Sequence, residues 1–210
     1  MFKSDRLLAA ENETKRRWVD GGYGGSYLEW MRDTVEVHRR FGLTESVFNE
    51  VVSSVEFMPR ADATLARIHA WGVKSVLITG GFKALADRVQ KLMRIHHALA
   101  ACEYFFDSST GLIHHANLLP ADEKGKVDFM LLICREYAVS PSDCAFVGDG
   151  KNDCHLAREV GFSVAFNAQP ELSAITSASI SQSRNSEGFM AVADVIDNEF
   201  PRRPDSVSAP

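Results

Sequence analysis

Apolar residues recur along this chain with two different rhythms, and the change between them falls near residue 56. Before it, the spacing is helical. Over 27–38 the apolar stripe runs through Tyr27, Trp30, Met31 and Val35, with Thr34 and His38 on the same face, the signature of an amphipathic helix. Gly21, Gly22, Gly24 and Gly25 punctuate the chain ahead of that helix. Phe41-Gly42-Leu43-Thr44 closes it and caps another, which carries Phe48, Val51, Val52 and Val55. No strand pattern is present over 1–56.

Beyond residue 56, short apolar runs alternate with helical stretches. A helix through Leu65, Ile68 and His69 ends at Trp71-Gly72. The run 74–79 reads as a buried strand, followed at once by Gly80-Gly81 and a helix over 83–93. Residues 103–106 read as a strand, with a weak hairpin after it turning at Thr110-Gly111. Lys126 opens a helix whose apolar face is Val127, Met130, Leu131 and Cys134. Then come a strand over 143–148, a helix over 151–160 and a strand over 162–166. Glycine-bounded strands alternating with helices predict an α/β fold built on a parallel sheet. The expected organisation is a helical part over 1–56, an α/β core over 57–200 and a disordered tail over 201–210, where three prolines leave little to bury.

Composition narrows the function classes. The 210 residues are 45% hydrophobic and 24% charged, with 14 Gly and 7 Pro, which excludes collagenous, coiled-coil and wholly disordered chains. A net charge of −5 with scattered Lys and Arg argues against nucleic acid as a partner, because such binders carry a basic face. No apolar run approaches the about 18 residues of a membrane span, and 1–10 carries Lys3, Asp5 and Arg6 rather than a secretory core. The four cysteines (Cys102, Cys134, Cys144, Cys154) form no C-x-x-C pair and sit in or beside apolar segments. They read as buried thiols of a reducing compartment, so the expected location is the cytoplasm.

Three segments carry candidate chemistry. In Gly148-Asp149-Gly150-Lys151-Asn152-Asp153 an apolar strand ends in a carboxylate, and a second carboxylate follows four residues later. Ligands of open α/β sheets bind at the carboxyl ends of strands, and converging carboxylates suit a hard cation such as Mg²⁺. The structural alternative is a strand-to-helix turn in which Asp153 is only a cap. In Thr79-Gly80-Gly81-Phe82 a hydroxyl at a strand end precedes two glycines and a helix, a geometry that receives an anion. Its alternative is a glycine turn needed only for positive φ. Lys126 stands in the first turn of its helix, against the dipole: either it is solvated or it meets a phosphate, and Lys124 is its rival. The pairs His96-His97 and His114-His115 lack chelate spacing and read as structural.

Taken together, the three segments resemble the haloacid dehalogenase (HAD) superfamily, in its phosphoserine-phosphatase-like branch. The family's second motif is matched by Thr79-Gly80-Gly81-Phe82, its third by Lys126 and its fourth by Gly148-Asp149-Gly150-Lys151-Asn152-Asp153, in the right order. The spacing from Lys126 to Gly148 selects Lys126 over Lys124, and the likeness extends over about 56–178. The resemblance implies a Rossmann-like parallel sheet with helices on both faces, and makes 1–56 the remnant of a small helical cap. It implies a Mg²⁺-dependent hydrolase acting on a small phosphorylated metabolite. Thr79 and Lys126 would be catalytic and would bind phosphate together with Gly80 and Asn152. Asp149 would hold the metal, with Asp153 acting on the metal's waters or neighbouring groups. A homodimer is left open.

Two departures qualify this. The family's first motif, Asp-x-Asp-x-Thr, supplies the nucleophile and the acid–base, and no Asp-x-Asp stands anywhere in the chain. The strand carrying it lies in HAD folds between those ending at Thr79 and Asp149. Strands are about 4.8 Å apart, so its loss predicts unpaired backbone on both neighbours. One expectation is therefore a product that extends upstream and carries this strand. The others are a catalytically inactive phosphate-binding or interaction module and a phosphotransferase. The second departure is Thr34, which stands where phosphoserine phosphatases place a carboxylate-binding arginine. Arg32 lies about 200° away around the helix at about 3.6 residues per turn. Phosphoserine is therefore doubtful as substrate. Tyr23, Tyr27, Trp30 and Met31 are either cap core or the lining of a pocket for a more apolar ester.

Overall fold

The computed structural model describes residues 5–120, 123–183 and 188–200, so the tail expected over 201–210 lies outside the described residues. The chain clusters into two compact units. One comprises Met1–Val55, Thr79–Asp87 and Ala100–Asp122, and the other Glu56–Ile78, Arg88–Leu99 and Glu123–Pro210. These units do not follow a single cut near residue 56.

The first unit holds α1 (Asp5–Val19), α2 (Tyr27–Arg40) and α3 (Glu45–Ser54). Ser26 caps α2 by accepting from the Glu29 amide at 3.3 Å, and Thr44 caps α3 by accepting from the Val47 amide at 3.4 Å, the latter as the sequence predicts. The apolar stripe of α2 turns Met31 and Val35 into a core with Leu43, Phe48, Cys102, Tyr104 and Ile113. Beside that core His38 is buried, and its ring nitrogens meet the Tyr104 hydroxyl and a Glu11 carboxylate oxygen, each at 2.7 Å.

Three strands contribute a sheet in the order β1 (Val76–Phe82), β2 (His97–Phe106), β3 (Ile113–Leu118). β2 and β3 pair antiparallel from Cys102↔Leu118 to Phe106↔Ile113, with an irregularity between Phe105 and Phe106. The weak hairpin is thus a full ladder, and the sheets are not all parallel. Its turn is set by Asp107, whose carboxylate accepts from the amides of Ser109 and Thr110 at 3.0 and 2.8 Å, and by Gly111 at φ 69°, a conformation that costs glycine nothing. β1 also departs from expectation. It continues through Gly80 and Gly81 to Phe82, and neither glycine has positive φ, so no turn separates the strand from α5 (Lys83–Met93).

The second unit carries the parallel ladder β4 (Ala145–Gly148), β5 (Phe162–Phe166), β6 (Ala178–Ile180), in register from Ala145↔Phe162 and Val164↔Ala178. β5 is buried along its whole length, which explains its unbroken apolar run. Around it lie α4 (Ala61–His69), α6 (Lys124–Glu136), α7 (Cys154–Glu159), α8 (Pro170–Ser173) and α9 (Met190–Glu199). α4 and α9 are joined by Arg67, which pairs with Asp194 at 2.5 Å and Asp197 at 3.1 Å. Two features of α6 differ from the sequence reading. α6 starts at Lys124, and its Leu131 faces solvent while Met130 and Cys134 are buried.

Among the described residues the strands form two separate three-stranded sheets, and β1 and β4 each end one of them. These are the two strands expected to flank the absent first strand. All four cysteines are free thiols; Cys102, Cys134 and Cys154 are buried and Cys144 partly so. Burial raises both Cys102 and Cys144 to about 12, so they are unreactive thiols rather than nucleophiles.

Candidate active site

The carboxyl end of β4 carries a tightly closed loop. After Gly148 the chain passes through Asp149 and Gly150 into a 3-10 turn over Lys151–Asp153, which leads directly into α7. Asp153 folds back over this loop. Its Oδ2 accepts from the amides of Asp149 at 3.3 Å and Gly150 at 3.1 Å. A Cβ on Gly148 would stand 2.6 Å from that same oxygen, and one on Gly150 would collide with Asn152 Oδ1. The two glycines of the motif are therefore demanded by side chains closing over the backbone. Sequence reasoning left Asp153 as either a helix cap or a metal-site residue; its side chain makes no cap hydrogen bond to α7 and instead closes the loop that precedes it.

Its other oxygen does something a cap does not require. Asp153 Oδ1 accepts from Lys126 Nζ at 2.6 Å, and both residues are buried, at 5% and 7% exposure. Lys126 comes from the first turn of α6, so an ammonium is held inside the protein by a carboxylate that is itself held by two amides. A buried charge without such pairing would be very costly. An ammonium has three N–H donors, and Asp153 takes one of them. Lys124, the rival, is exposed.

Asp149, next to the pair in sequence, is exposed. Its backbone is clamped by a residue that sequence reasoning did not single out: the Gln169 amide donates to the Asp149 carbonyl at 2.9 Å, and Gln169 Oε1 accepts from the Lys151 amide at 2.8 Å. Gln169 ends the segment after β5, so the only available signal was its place in the stretch resembling the family. Asn152 is half-buried beside the loop.

Thr79 and Gly80 belong to the other compact unit, with their own local geometry. Thr79 Oγ1 accepts from the Gly81 amide at 3.0 Å, and the Tyr27 hydroxyl donates to the Gly80 carbonyl. Lys126, Asp149, Asn152 and Asp153 are thus brought together around one loop, and Thr79 and Gly80 around another. The histidine pairs are structural where the structure describes contacts. His96 Nδ1 accepts from the Ser75 amide at 3.2 Å, and His97 Nε2 lies 2.6 Å from the Tyr137 hydroxyl.

The β4 loop presents two carboxylates, Asp149 and Asp153. Both carboxylates offer hard oxygen, the class that Mg²⁺ prefers. Asp153 already has both oxygens engaged, which leaves direct ligation to Asp149. Mg²⁺ is commonly held through about one or two carboxylates plus water and substrate phosphate, so this donor set fits. Among the described residues no group of three or more His, Cys, Asp or Glu side chains is placed to hold a metal by itself.

A family model described as haloacid dehalogenase-like hydrolase matches residues 14–161. The chain belongs to that family. Within this HAD family its relatives are of the phosphoserine phosphatase type. It is 30% identical over 180 residues to a phosphoserine phosphatase of Albidiferax ferrireducens, covering 83% of this chain and 73% of the relative. It is 28% identical to one of Mycobacterium tuberculosis, covering 67% of this chain but 34% of the relative. For one of Idiomarina loihiensis the identity is 29%, covering 66% and 62%. The chain therefore spans only part of these relatives' length. A crystal structure of a probable phosphoserine phosphatase from Vibrio cholerae shares the fold with a TM-score of 0.72, over 90% of this chain and 57% of that one, at 22% identity. A substrate-bound phosphoserine phosphatase complex does so at 0.70, over 83% and 82%, at 19% identity. The HAD fold expected from the motifs is thereby established.

Proposed function

We propose that this HAD chain is a Mg²⁺-dependent phosphomonoester hydrolase of the phosphoserine-phosphatase-like type, acting on a small phosphorylated metabolite. The observation that carries the reading is the buried Lys126–Asp153 pair at the loop after β4. An ammonium fixed within a protein interior is suited to neutralising a phosphoryl group as charge shifts during transfer. In this reading Thr79 and the Gly80 amide hold phosphoryl oxygens, and Asn152 adds a hydrogen bond. Asp149 would hold Mg²⁺, which when bound neutralises phosphoryl charge and orients the phosphate. Asp153 keeps Lys126 in place and fixes the amides of Asp149 and Gly150, so that the loop is ordered before substrate arrives.

The nucleophile is not among the 210 residues, which contain no Asp-x-Asp. The proposal accordingly assigns nucleophilic attack to a further segment carrying that motif, with a helical cap over 1–56 and an α/β core over 57–200. Phosphoserine is not the proposed substrate. Thr34 donates its hydroxyl to the Trp30 carbonyl at 3.0 Å, and Arg32 pairs with Glu29 on an exposed face. Neither offers a cation to an amino-acid carboxylate. The proposed location is the cytoplasm, and a homodimer is compatible with the reading. No helix among the described residues is long and apolar enough to cross a membrane.

The missing motif favours a second reading, a phosphate-binding module without turnover. Assay with an aryl phosphate and Mg²⁺ separates the two. The chain extended by its in-frame upstream coding sequence is expected to turn over, and its Asp149→Asn variant to lose at least about tenfold in rate, since each tenfold is about 1.4 kcal/mol of transition-state stabilisation. Equal, background-level release from both would leave only the binding module. An upstream frame with no strand ending in Asp-x-Asp would remove the proposed source of the nucleophile.

A further inference from the structure

We infer that Tyr27, on the first turn of α2, is a positioning residue for the phosphate-binding segment Thr79-Gly80-Gly81. This rests on the reading of Thr79 and Gly80 as phosphate ligands and adds a residue to it. The Gly80 carbonyl and the Gly81 N–H are the two ends of one peptide plane. That plane is gripped from both ends. The Tyr27 hydroxyl donates to the Gly80 carbonyl, and the Gly81 N–H donates to Thr79 Oγ1 at 3.0 Å. A hydroxyl that accepts through its oxygen keeps its own hydrogen to donate elsewhere. Thr79 is thereby set to give its hydrogen to an anion, with the Gly80 N–H beside it.

The tyrosine is itself held. Its ring stands edge-on to Trp18 and Trp30, with centroids 6.3 and 5.6 Å away, and those two indoles stack on each other at 4.5 Å. Trp30 Nε1 donates to Thr14 Oγ1 at 3.3 Å, which ties the aromatic group to α1. The Ser26 cap fixes where α2 begins. The contact with Gly80 is also close enough to dictate sequence. A Cβ there would lie 2.9 Å from the Tyr27 oxygen and 3.3 Å from Cζ. Glycine is required at 80 because a phenol from α2 rests on its backbone, whereas φ at that position is ordinary. The helical part of the chain thus sets the orientation of a strand-borne anion site.

The test uses the whole 210-residue protein and inorganic phosphate, read by the amide resonances of Gly80 and Gly81. Tyr27→Phe keeps the ring in its aromatic cage and removes only the hydroxyl. Phosphate is expected to shift both resonances in the wild type. In the variant its affinity should fall about fivefold, the size expected for one lost hydrogen bond, and the Gly81 amide should exchange faster with solvent while Val76 does not. Phosphate shifts of equal strength in both proteins, with unchanged Gly81 exchange, would overturn the role of Tyr27 alone. Absence of phosphate shifts in the wild type would overturn the Thr79–Gly80 reading and this inference with it. A melting temperature shared by the two proteins keeps a lost affinity from being attributed to a general loss of fold.

Discussion

Lys126 and Asp153 show how much one buried pair can settle. Their side chains meet at 2.6 Å with almost no exposure, and Asp153 Oδ2 has its own two amide donors. Removing one partner of a buried pair costs about 3–5 kcal/mol, because the survivor is left charged in the interior, whereas removing both together often costs little. Lys126→Met and Asp153→Leu are each expected to lower the urea midpoint strongly, and the double variant to recover a substantial part of the loss. Equal, additive losses in the double variant would mean that the two charges do not depend on each other. The signal for this pair was partly in the sequence. Lys126 precedes Met130 by four residues and Cys134 by eight, so it lies on the buried stripe of α6, while Lys124 does not. What the sequence cannot display is the partner, 27 residues away. The same holds for Tyr27 and Gly80, separated by 53.

At the scale of elements, the helices were legible and the strands less so. The helices after residue 26 in this first part announce themselves through apolar periodicity and through Thr44 as a cap, all local properties. β2 is different. Its first half, His97-Ala98-Leu99-Ala100-Ala101-Cys102, has no β-branched residue and would suit a helix by propensity. It is extended because Ala101 and Cys102, both under 2% exposed, are packed from outside the segment; tertiary packing overrides propensity. Gly80-Gly81 misled in the opposite way, as a turn signal inside a strand, because close approach rather than positive φ explains Gly80. The β2–β3 turn offers a direct test of local chemistry. Four hydrogen bonds from Ser109 and Thr110 hold the Asp107 carboxyl at about 2, below its ordinary 3.8. Since the folded value is the lower, the turn's stabilisation is complete above 3.8 and is lost as pH falls through about 2. Carboxyl carbon resonances followed from pH 6 to 1.5 should place the Asp107 midpoint near 2, and a midpoint at the ordinary value would mean that the turn does not form as described.

For the whole molecule, the arrangement of the strands decides how it should unfold. β1 and β2 run through both compact units: Val76–Ile78 falls in one and Thr79–Phe82 in the other, and β2 changes over between Leu99 and Ala100. A strand cannot keep its ladder in one half while the other half melts without exposing unpaired backbone. Chain connectivity therefore couples the two units, although each has its own core. The three tryptophans report on them separately, since Trp18 and Trp30 lie in the first and Trp71 in the second. A Trp71→Phe variant reports only on the first unit, and a Trp18→Phe/Trp30→Phe variant only on the second. Both are expected to show one transition, and within each protein fluorescence and far-ultraviolet circular dichroism should share a midpoint, the mark of two-state unfolding. Val164→Ala, at a fully buried position of β5 in the second unit, introduced into the Trp71→Phe background should then shift the transition seen by Trp18 and Trp30 by about 1–3 kcal/mol, the usual scale of destabilising point changes. If the fluorescence of the first unit ignores Val164→Ala, the continuity of β1 and β2 does not transmit stability between the units, and the open ends of the two sheets let them unfold apart.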